Sequence, residues 1–288
     1  MADLIIYGLL SGAIFAMAAF GFALVLGVLG VVNMAHGLYV IMGGALTHVL
    51  ATQAGLSVPL AMLLATAATG LFAAAMHKAF VERIFRKNPL MVLVQTFGLS
   101  IVGVKLLEKT VGAGERLLRV DVPGHPIVEI GPVMIPTIEL VVFGVAVAST
   151  IALLLLLDRT DFGRSIRACR DNARSAAILG VNVERVYTWT MFICGIWTGL
   201  AGALLVGTKP LAPYMHLQWT VDAFLIVIIG GLGSIPGVLA GAFLYGIANY
   251  FAFYYFPSIA PALIFGALIL LLLLRPQGLF GLGAVVRK

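Results

Sequence analysis

Long apolar runs most strongly constrain the fold of this chain, because they leave little sequence for a water-soluble core. Eight runs are long and apolar enough to predict membrane-spanning helices, which need about 20 residues. They cover residues 4–28, 38–54, 59–80, 90–107, 137–157, 187–207, 238–255 and 259–274. A ninth run, 221–230, is too short to span and predicts a half-helix. The predicted fold class is therefore an all-α polytopic membrane protein with about eight transmembrane helices plus a short half-helix.

Composition supports the same class. Of the 288 residues 61% are hydrophobic and only 10% are charged, and the mean hydropathy is +1.10. About a quarter of the residues in a soluble globular domain are charged. The polar stretches between the runs are too short to form a soluble domain, so residues 1–288 are predicted to form a single transmembrane domain.

The basic residues predict the orientation of the chain. Segments 78–88, 158–186 and 275–288 contain thirteen of the 18 Lys and Arg residues, so all three are expected on the cytoplasmic side. The segment 108–136 has more acidic than basic residues and is expected outside. Both expectations hold if the 221–230 helix, with the Gly-rich stretch after it, provides one further crossing. The C-terminus is then cytoplasmic and the N-terminus is outside.

The segment 158–186 combines six arginines with a small-residue face. Arg164, Arg167, Arg170 and Arg174 recur at three- and four-residue spacing and share one face of a predicted helix over 163–180. Ile166, Cys169, Ala173, Ala176, Ala177 and Gly180 line the other face. Small side chains bury little area in lipid but allow another protein to approach closely. The pattern favours a docking helix over a membrane anchor.

Two glycine-rich breaks interrupt the apolar pattern, at 27–37 and at 230–237. The polar residues there are Asn33, His36 and Ser234, and lipid would penalise unpaired polar groups, so we expect them to face protein or a watery cavity. Such breaks in two halves of a chain are typical of a transport pathway. The alternative is that the glycines permit close helix packing and that Asn33 and His36 cap helix ends.

Polar residues inside the other apolar runs are few. Gln95, Thr96 and Ser100 lie within one run, where they either form interhelical hydrogen bonds or line a pathway. Asp222 is expected at the start of the half-helix, where an acid favours the positive end of the helix dipole. No carboxylate or histidine relay is evident at mid-span, so the predicted pathway has apolar and small polar walls and no charged clamp.

Enzyme signatures are absent from the sequence. There is no HExxH or GxSxG motif, no Walker A motif and no acidic pair at metal-binding spacing within a run. No catalytic residue, metal site or cofactor is therefore predicted, and any ATP is expected to be hydrolysed by another subunit. The sequence contains no basic patch interleaved with aromatic residues, so nucleic-acid binding is not predicted.

Four motifs together resemble one family, the permease subunits of branched-chain amino acid ABC importers of the LivH type. They are GVVNMAHG at 30–37, GRSIRACRDNARSAAILGVNVERV at 163–186, GGLGSIPGVLAGA at 230–242 and RPQGLFG at 275–281. The resemblance covers nearly the whole chain and implies an ABC importer permease fold without enzymatic activity of its own. It implies a multi-pass protein of the bacterial inner membrane, and related importers carry branched-chain or other amino acids.

The resemblance also implies partners and sites. The partners would be a second, similar permease, two cytoplasmic ATPases and a periplasmic substrate-binding protein. The pathway residues would be Asn33, His36, Gly37, Gln95, Thr96, Gly231, Gly233, Ser234 and Gly237. The residues that couple to the ATPase would be Arg167, Arg170, Asp171, Asn172, Ala173, Ala176, Leu179 and Gly180. The alternative function is a stand-alone secondary transporter or channel for a small solute.

Overall fold

The computed structural model describes residues 1–85, 88–120, 126–131, 133–275 and 277–280. The basic residues Arg86, Lys87, Arg287 and Lys288, used above to predict orientation, lie outside these ranges, as do Pro276 and Gly281 of the fourth motif.

In the described part of the chain the α-helices are α1 Ala2–Leu29, α2 His36–Thr52, α3 Val58–Met76, α4 Glu82–Phe85, α5 Pro89–Val111, α6 Thr137–Arg159, α7 Asp161–Ile178, α8 Val183–Leu205, α9 His216–Gly230, α10 Ile235–Tyr255 and α11 Ala260–Leu274. A π-helical turn at His77–Val81 joins α3 to α4, and strands β1 Ile127–Ile130 and β2 Val133–Pro136 form an antiparallel hairpin.

Among the described residues, six helical stretches are long and apolar enough to cross a membrane: α1, α3 with its continuation through α4, α5, α6, α8 and α10. The prediction of a polytopic helical membrane protein is thus confirmed, whereas the count of about eight spans is not. Helices α2, with 17 residues, and α11, with 15, coincide with two predicted spans but are shorter than the length expected for a spanning helix.

Helix α1 lies at the centre of the bundle: 83% of its apolar 18-residue stretch is buried, compared with 28% of the corresponding stretch of α6. It packs antiparallel to α10, because Gly8 lies against Ile247 and Gly12 lies against Phe243. A Cβ atom on Gly8 would lie 2.6 Å from the Cα of Ile247, so this close approach requires glycine. Gly8 and Gly12 of α1 therefore serve helix packing.

The bundle has two distinct ends. At the α7 end, the Arg170 guanidinium donates to the Gly233 carbonyl (3.4 Å), Phe85 packs edge-to-face on Tyr187, and the Phe280 N–H donates to the Gly230 carbonyl (3.1 Å). The described parts of the three predicted cytoplasmic segments therefore share one end.

The β1–β2 hairpin marks the opposite end, which we call the hairpin end. The Tyr7 hydroxyl donates to the Met134 carbonyl (2.6 Å), so the N-terminus of α1 lies beside the hairpin. The Leu118 N–H donates to the Val206 carbonyl (2.7 Å), which places the end of α8 there as well. The N-terminus and α7 thus lie at opposite ends, as the predicted orientation requires.

Two segments without α-helix re-enter the bundle from opposite ends, and the second ends in a 3-10 turn at Pro213–Met215. After α1 ends at the α7 end, residues 30–35 turn back, and His36 lies beside Ala18, eleven residues or roughly 16 Å before the end of α1. After α8 ends at the hairpin end, the 206–215 segment turns back and α9 begins beside Gly37. The apolar pattern predicted the extra crossing in 221–230 and the stretch after it. In the structure the extra crossing consists of α9 and the segment before α9.

Candidate functional site

The two re-entrant segments meet inside the bundle through hydrogen bonds to Thr220 on α9. The Gly37 N–H donates to the Thr220 hydroxyl oxygen (2.8 Å), and that hydroxyl lies 3.0 Å from the carbonyl oxygen of His216 and 3.4 Å from that of Met34. The Met34 N–H donates to the Thr96 hydroxyl oxygen on α5 (3.0 Å). Backbone groups freed by the first break are thus satisfied by threonines of two other helices, as a break at membrane depth requires.

Asn33 and His36 are both buried at this contact. The Asn33 side chain accepts from the Ala35 N–H (3.0 Å) and so closes the turn before α2, whose N-terminus has no side-chain cap, so Asn33 does not have the capping role that the alternative interpretation gave it. The imidazole Nε2 of His36 lies 2.9 Å from the Ala18 carbonyl oxygen, its Nδ1 lies 3.8 Å from the Cys194 sulfur, and its ring meets Phe22 edge-on. His36 therefore contacts α1 and α8 rather than an open cavity.

The polar residues of α5 are divided between packing and the break. Gln95 donates to the Phe80 carbonyl (3.0 Å), which is the interhelical hydrogen bond that one interpretation predicted. Thr96 contacts the first break through Met34, whereas Ser100 is buried and its hydroxyl has no hydrogen-bond partner among the described residues. Thr96 is thus the α5 residue that the structure brings to Asn33, His36 and Gly37.

The second glycine-rich motif meets only the start of the first: Gly233 and Ser234 line a cavity of about 370 Å³ with Gly27 and Val28, whereas Asn33, His36 and Gly37 are not among its lining residues. Residues 231–234 form a turn at the α7 end between α9 and α10, and Gly237 lies within α10. The Ser234 hydroxyl caps α10 by accepting from the Gly237 N–H (3.1 Å), and Gly230 and Gly237 bring the two helices into backbone contact. The segment that meets residues 30–37 is instead 206–220, which carries little glycine and was not singled out by the pattern.

A polar cavity of about 210 Å³ lies at the hairpin end between α1, the 206–215 segment, α9 and α10. Its wall includes Lys209 and Asp222, two charged residues that the apolar pattern did not bring together. Helix α9 begins at His216 rather than at 221, so Asp222 lies in the second turn, away from the positive helix end. Asp222 is 8% exposed and accepts a hydrogen bond from the Tyr245 hydroxyl (2.6 Å).

Helix α7 differs from the predicted docking helix in its shape and in its buried face. Asn172 has extended backbone angles and breaks the helix, and its side chain caps the second part by accepting from the Ser175 N–H (2.9 Å). Ile166, Cys169 and Ala176 pack into the protein's own core. Burial also raises the pKa of the Cys169 thiol. Half of the predicted small-residue face is therefore covered within the chain, whereas Ala177 and Gly180 are exposed.

The free surface of α7 lies elsewhere. The helix ends at Ile178, where Leu179 and Gly180 form a turn with Gly180 at φ +91°, so the last two predicted coupling residues are not helical. Ile178 and Leu179 are 80% and 84% exposed, beside exposed Ala177 and the exposed polar residues Asp171 and Asn172. Arg167 is held by the Leu157 carbonyl, and Arg170 by the Gly233 carbonyl. These two arginines thus attach α7 to the bundle, whereas Arg164 pairs with Asp161 on α7 itself.

Comparison with known proteins identifies the family. The family model described as "Branched-chain amino acid transport system / permease component" matches residues 4–274. The chain belongs to this family. The permease BraD of Pseudomonas aeruginosa, named as part of a high-affinity branched-chain amino acid transport system, is 28% identical over 96% of this chain and 94% of its own. LivH of Escherichia coli, named in the same way, is 28% identical over 95% of this chain and 93% of its own.

Part of this chain is also similar to a permease named for sugar import. The ribose import permease RbsC of Bacillus subtilis is 33% identical over 36% of this chain and 34% of its own. No solved structure matches the chain. The resemblance predicted from four motifs is confirmed, and the permease is a multi-pass membrane protein whose relatives are transport components.

Proposed function

We propose that this protein is the membrane permease subunit of an ATP-driven importer for branched-chain or related amino acids. The observation that carries the proposal is the meeting of two re-entrant segments at Gly37 and Thr220, inside a bundle of this permease family. Non-helical backbone at membrane depth is tolerated where protein or water surrounds it, and broken helices are typical of transport pathways. Asn33, His36, Gly37 and Thr96 are proposed to form the central part of that pathway.

The proposed assembly contains a second, similar permease, two cytoplasmic ATPases and a periplasmic substrate-binding protein in the bacterial inner membrane. ATP is bound by the ATPases, and this subunit needs no cofactor. The surface formed by Asp171, Asn172, Ala177, Ile178 and Leu179, which we call the α7 tip, is proposed to dock on the ATPase. Large exposed apolar side chains outside the membrane mark a protein contact.

Reconstitution tests the proposed function. In proteoliposomes containing this permease with its second permease, ATPases and binding protein, leucine uptake is expected to require ATP inside the vesicle and to persist when a protonophore collapses the proton gradient. An ATPase variant that binds but does not hydrolyse ATP is the matched control and is expected to abolish uptake. Uptake that proceeds without ATP would contradict the proposal.

Buried Asp222 gives the alternative function one specific observation in its favour, because proton-coupled transporters keep a carboxylate within the membrane. A stand-alone secondary transporter would accumulate substrate without the ATPases, and the protonophore would abolish that uptake. The reconstitution described above therefore separates the two functions in a single experiment.

Orientation can be tested with single cysteines. Both native cysteines are buried, and the raised pKa of the Cys169 thiol further lowers its reactivity, so an introduced cysteine is expected to dominate labelling. In intact cells, a membrane-impermeant maleimide is expected to label Glu129→Cys on the hairpin and to label Arg164→Cys on α7 only after permeabilisation. The reverse pattern would place α7 outside and remove the proposed ATPase contact.

A further inference from the structure

The cavity at the hairpin end brings one anionic and one cationic side chain together in an otherwise mainly apolar bundle. Asp222 reaches it from α9 and Lys209 from the segment that re-enters the bundle. An ionisable side chain within a membrane protein is costly unless it is paired, and its presence marks a functional site. The two charges are therefore the feature of this cavity that requires an explanation.

Asp222 is held in place by aromatic residues. Its carboxylate accepts from the Tyr245 hydroxyl (2.6 Å), and the Tyr245 ring packs edge-to-face on Phe15 (5.0 Å between ring centroids). Phe15 in turn contacts the Trp219 ring (5.4 Å). The carboxylate thus lies at a fixed position beside an aromatic wall that can bury an apolar group.

Lys209 is fixed in a different way. Its ammonium donates to the Ser11 hydroxyl (3.0 Å) and lies 4.7 Å from the centre of the Tyr250 ring. Glu139 on α6 interacts with the Lys209 charge, and Lys209 and Ser11 line a second, much smaller cavity together with Glu139. Lys209 thus lies between two cavities, and its direct contacts, with Ser11 and Tyr250, are to neutral groups, so its charge can also face a ligand carboxylate.

We propose that this cavity is a binding site for a zwitterionic amino acid, in which Asp222 receives the α-ammonium group, Lys209 receives the α-carboxylate, and Phe15 and Trp219 contact the side chain. The proposal rests on the proposed function and names the chemical class that this chain selects. Opposite charges attract more strongly in a cavity of low dielectric constant than in water. A zwitterion satisfies both charges at once, whereas a neutral sugar satisfies neither and a simple anion or amine satisfies only one.

The size of the cavity fits this class. Its volume of about 210 Å³ exceeds the roughly 150 Å³ of an apolar protein cavity that binds benzene, so it can admit a solute of the size of valine or leucine. Gln218 and Asn249 add neutral hydrogen-bonding groups to the wall, so the charged head group can be oriented without a further counter-ion.

The site lies beside the central contact of the re-entrant segments. Helix α9 presents Gln218, Trp219 and Asp222 to the cavity, whereas His216 and Thr220 of the same helix contact α2. A ligand that draws Asp222 and Lys209 together would act on the helix and on the segment that re-enters with it. Binding at the hairpin end is thereby connected to the contact between Gly37 and Thr220 in the middle of the bundle.

The test measures ligand binding to the purified permease pair in detergent without the binding protein, by saturation-transfer difference NMR. Leucine is expected to give a methyl signal that valine displaces, whereas 4-methylpentanoate, 3-methylbutylamine and ribose displace it at least tenfold less effectively. Asp222→Asn and Lys209→Gln are each expected to weaken leucine binding at least tenfold. The matched controls are Lys105→Gln and Glu108→Gln, which remove an exposed ion pair on α5 and are expected to leave binding unchanged.

Thermal unfolding in detergent distinguishes binding from a purely structural pair. Normal leucine binding in Asp222→Asn and Lys209→Gln, with a lowered Tm, would show that the charges only hold helices together and would overturn the proposal. Equal displacement by ribose and valine would overturn it as well. If leucine uptake requires ATP but wild-type permease gives no leucine signal, the cavity proposal fails and the proposed function remains; if uptake does not require ATP, it is the proposed function that fails.

Discussion

Replacing Ile178 and Leu179 together by aspartate is expected to abolish the coupling of ATP hydrolysis to transport while the permease stays folded in the membrane. Each side chain is at least 80% exposed, so the change removes little packing within the subunit. Burying a large aliphatic side chain stabilises a contact by about 1.5–3 kcal/mol, and two buried unpaired charges oppose it further. A loss of about 4 kcal/mol of binding free energy corresponds to an affinity of the permease for the ATPase that is roughly 1,000-fold lower.

Co-purification of the ATPases and substrate-stimulated ATP hydrolysis in proteoliposomes measure this effect. Ile178→Val with Leu179→Met is the matched control, because it keeps the α7 tip apolar, and near-normal coupling is expected. Ala176→Trp is expected to behave differently, since Ala176 is 2% exposed and packs into the core of the subunit. That variant should lose stability by overpacking. Full ATPase binding by the double aspartate variant would locate the contact elsewhere.

Apolar run length predicted most helix positions well, since lipid and core both demand continuous apolar helices. The predicted run 137–157 corresponds to α6 at Thr137–Arg159, and 238–255 corresponds to α10 at Ile235–Tyr255. Run length failed where the chain re-enters the bundle. A re-entrant segment is surrounded by protein, so its hydropathy does not show how deep in the membrane the segment lies. For this reason the 38–54 run was assigned a full span although α2 begins in the middle of the bundle.

The charged cavity was missed for a related reason. The segment before Asp222 contains His216, Gln218 and Thr220, so the apolar pattern begins only at 221 and placed the aspartate at a helix end. In the structure those three residues already belong to α9, where Thr220 contacts the backbone of α2 and Gln218 lines the cavity. Polar side chains that serve tertiary contacts thus interrupt a hydropathy signal without interrupting the helix.

The amphipathic pattern of α7 correctly predicted two different helix faces but did not predict which surface covers the buried face. Periodicity shows that one face is buried; it carries no information on whether the covering surface belongs to the same chain. Ile166 and Cys169 proved to be covered by the chain's own core. The exposed Ile178 and Leu179 lie at the end of the helix, where three- and four-residue spacing no longer applies.

The contact between the two re-entrant segments is expected to be the most sensitive point of the permease to substitution. A Cβ atom on Gly37 would overlap the His216 carbonyl oxygen and come within 2.7 Å of the Thr220 hydroxyl. Because the obstacle is backbone rather than a flexible side chain, α2 and α9 must separate in Gly37→Ala. Overpacking of this kind costs about 1–3 kcal/mol. Uptake is expected to fall by about 100-fold, the factor that corresponds to roughly 3 kcal/mol.

Gly144→Ala on α6 is the matched control, since a Cβ atom there meets no other part of the subunit within 4 Å. It replaces a helix-interior glycine by alanine without crowding the subunit, and normal uptake and an equal or higher Tm are expected. Wild-type uptake in Gly37→Ala would show that the α2–α9 contact opens freely or plays no part in transport.

Thr220→Val tests the hydrogen bonds at this contact separately from its packing, because the two side chains have nearly the same shape. Valine leaves the Gly37 N–H without its acceptor and removes the hydroxyl beside the Met34 carbonyl. An unsatisfied buried group costs about 1–3 kcal/mol. Uptake and Tm are therefore expected to fall in Thr220→Val and to recover in Thr220→Ser, which keeps the hydroxyl. If both variants lose uptake equally, the methyl group rather than the hydroxyl determines the contact. If Tm falls in Thr220→Val while uptake per folded molecule stays normal, these hydrogen bonds stabilise the bundle and take no part in moving substrate.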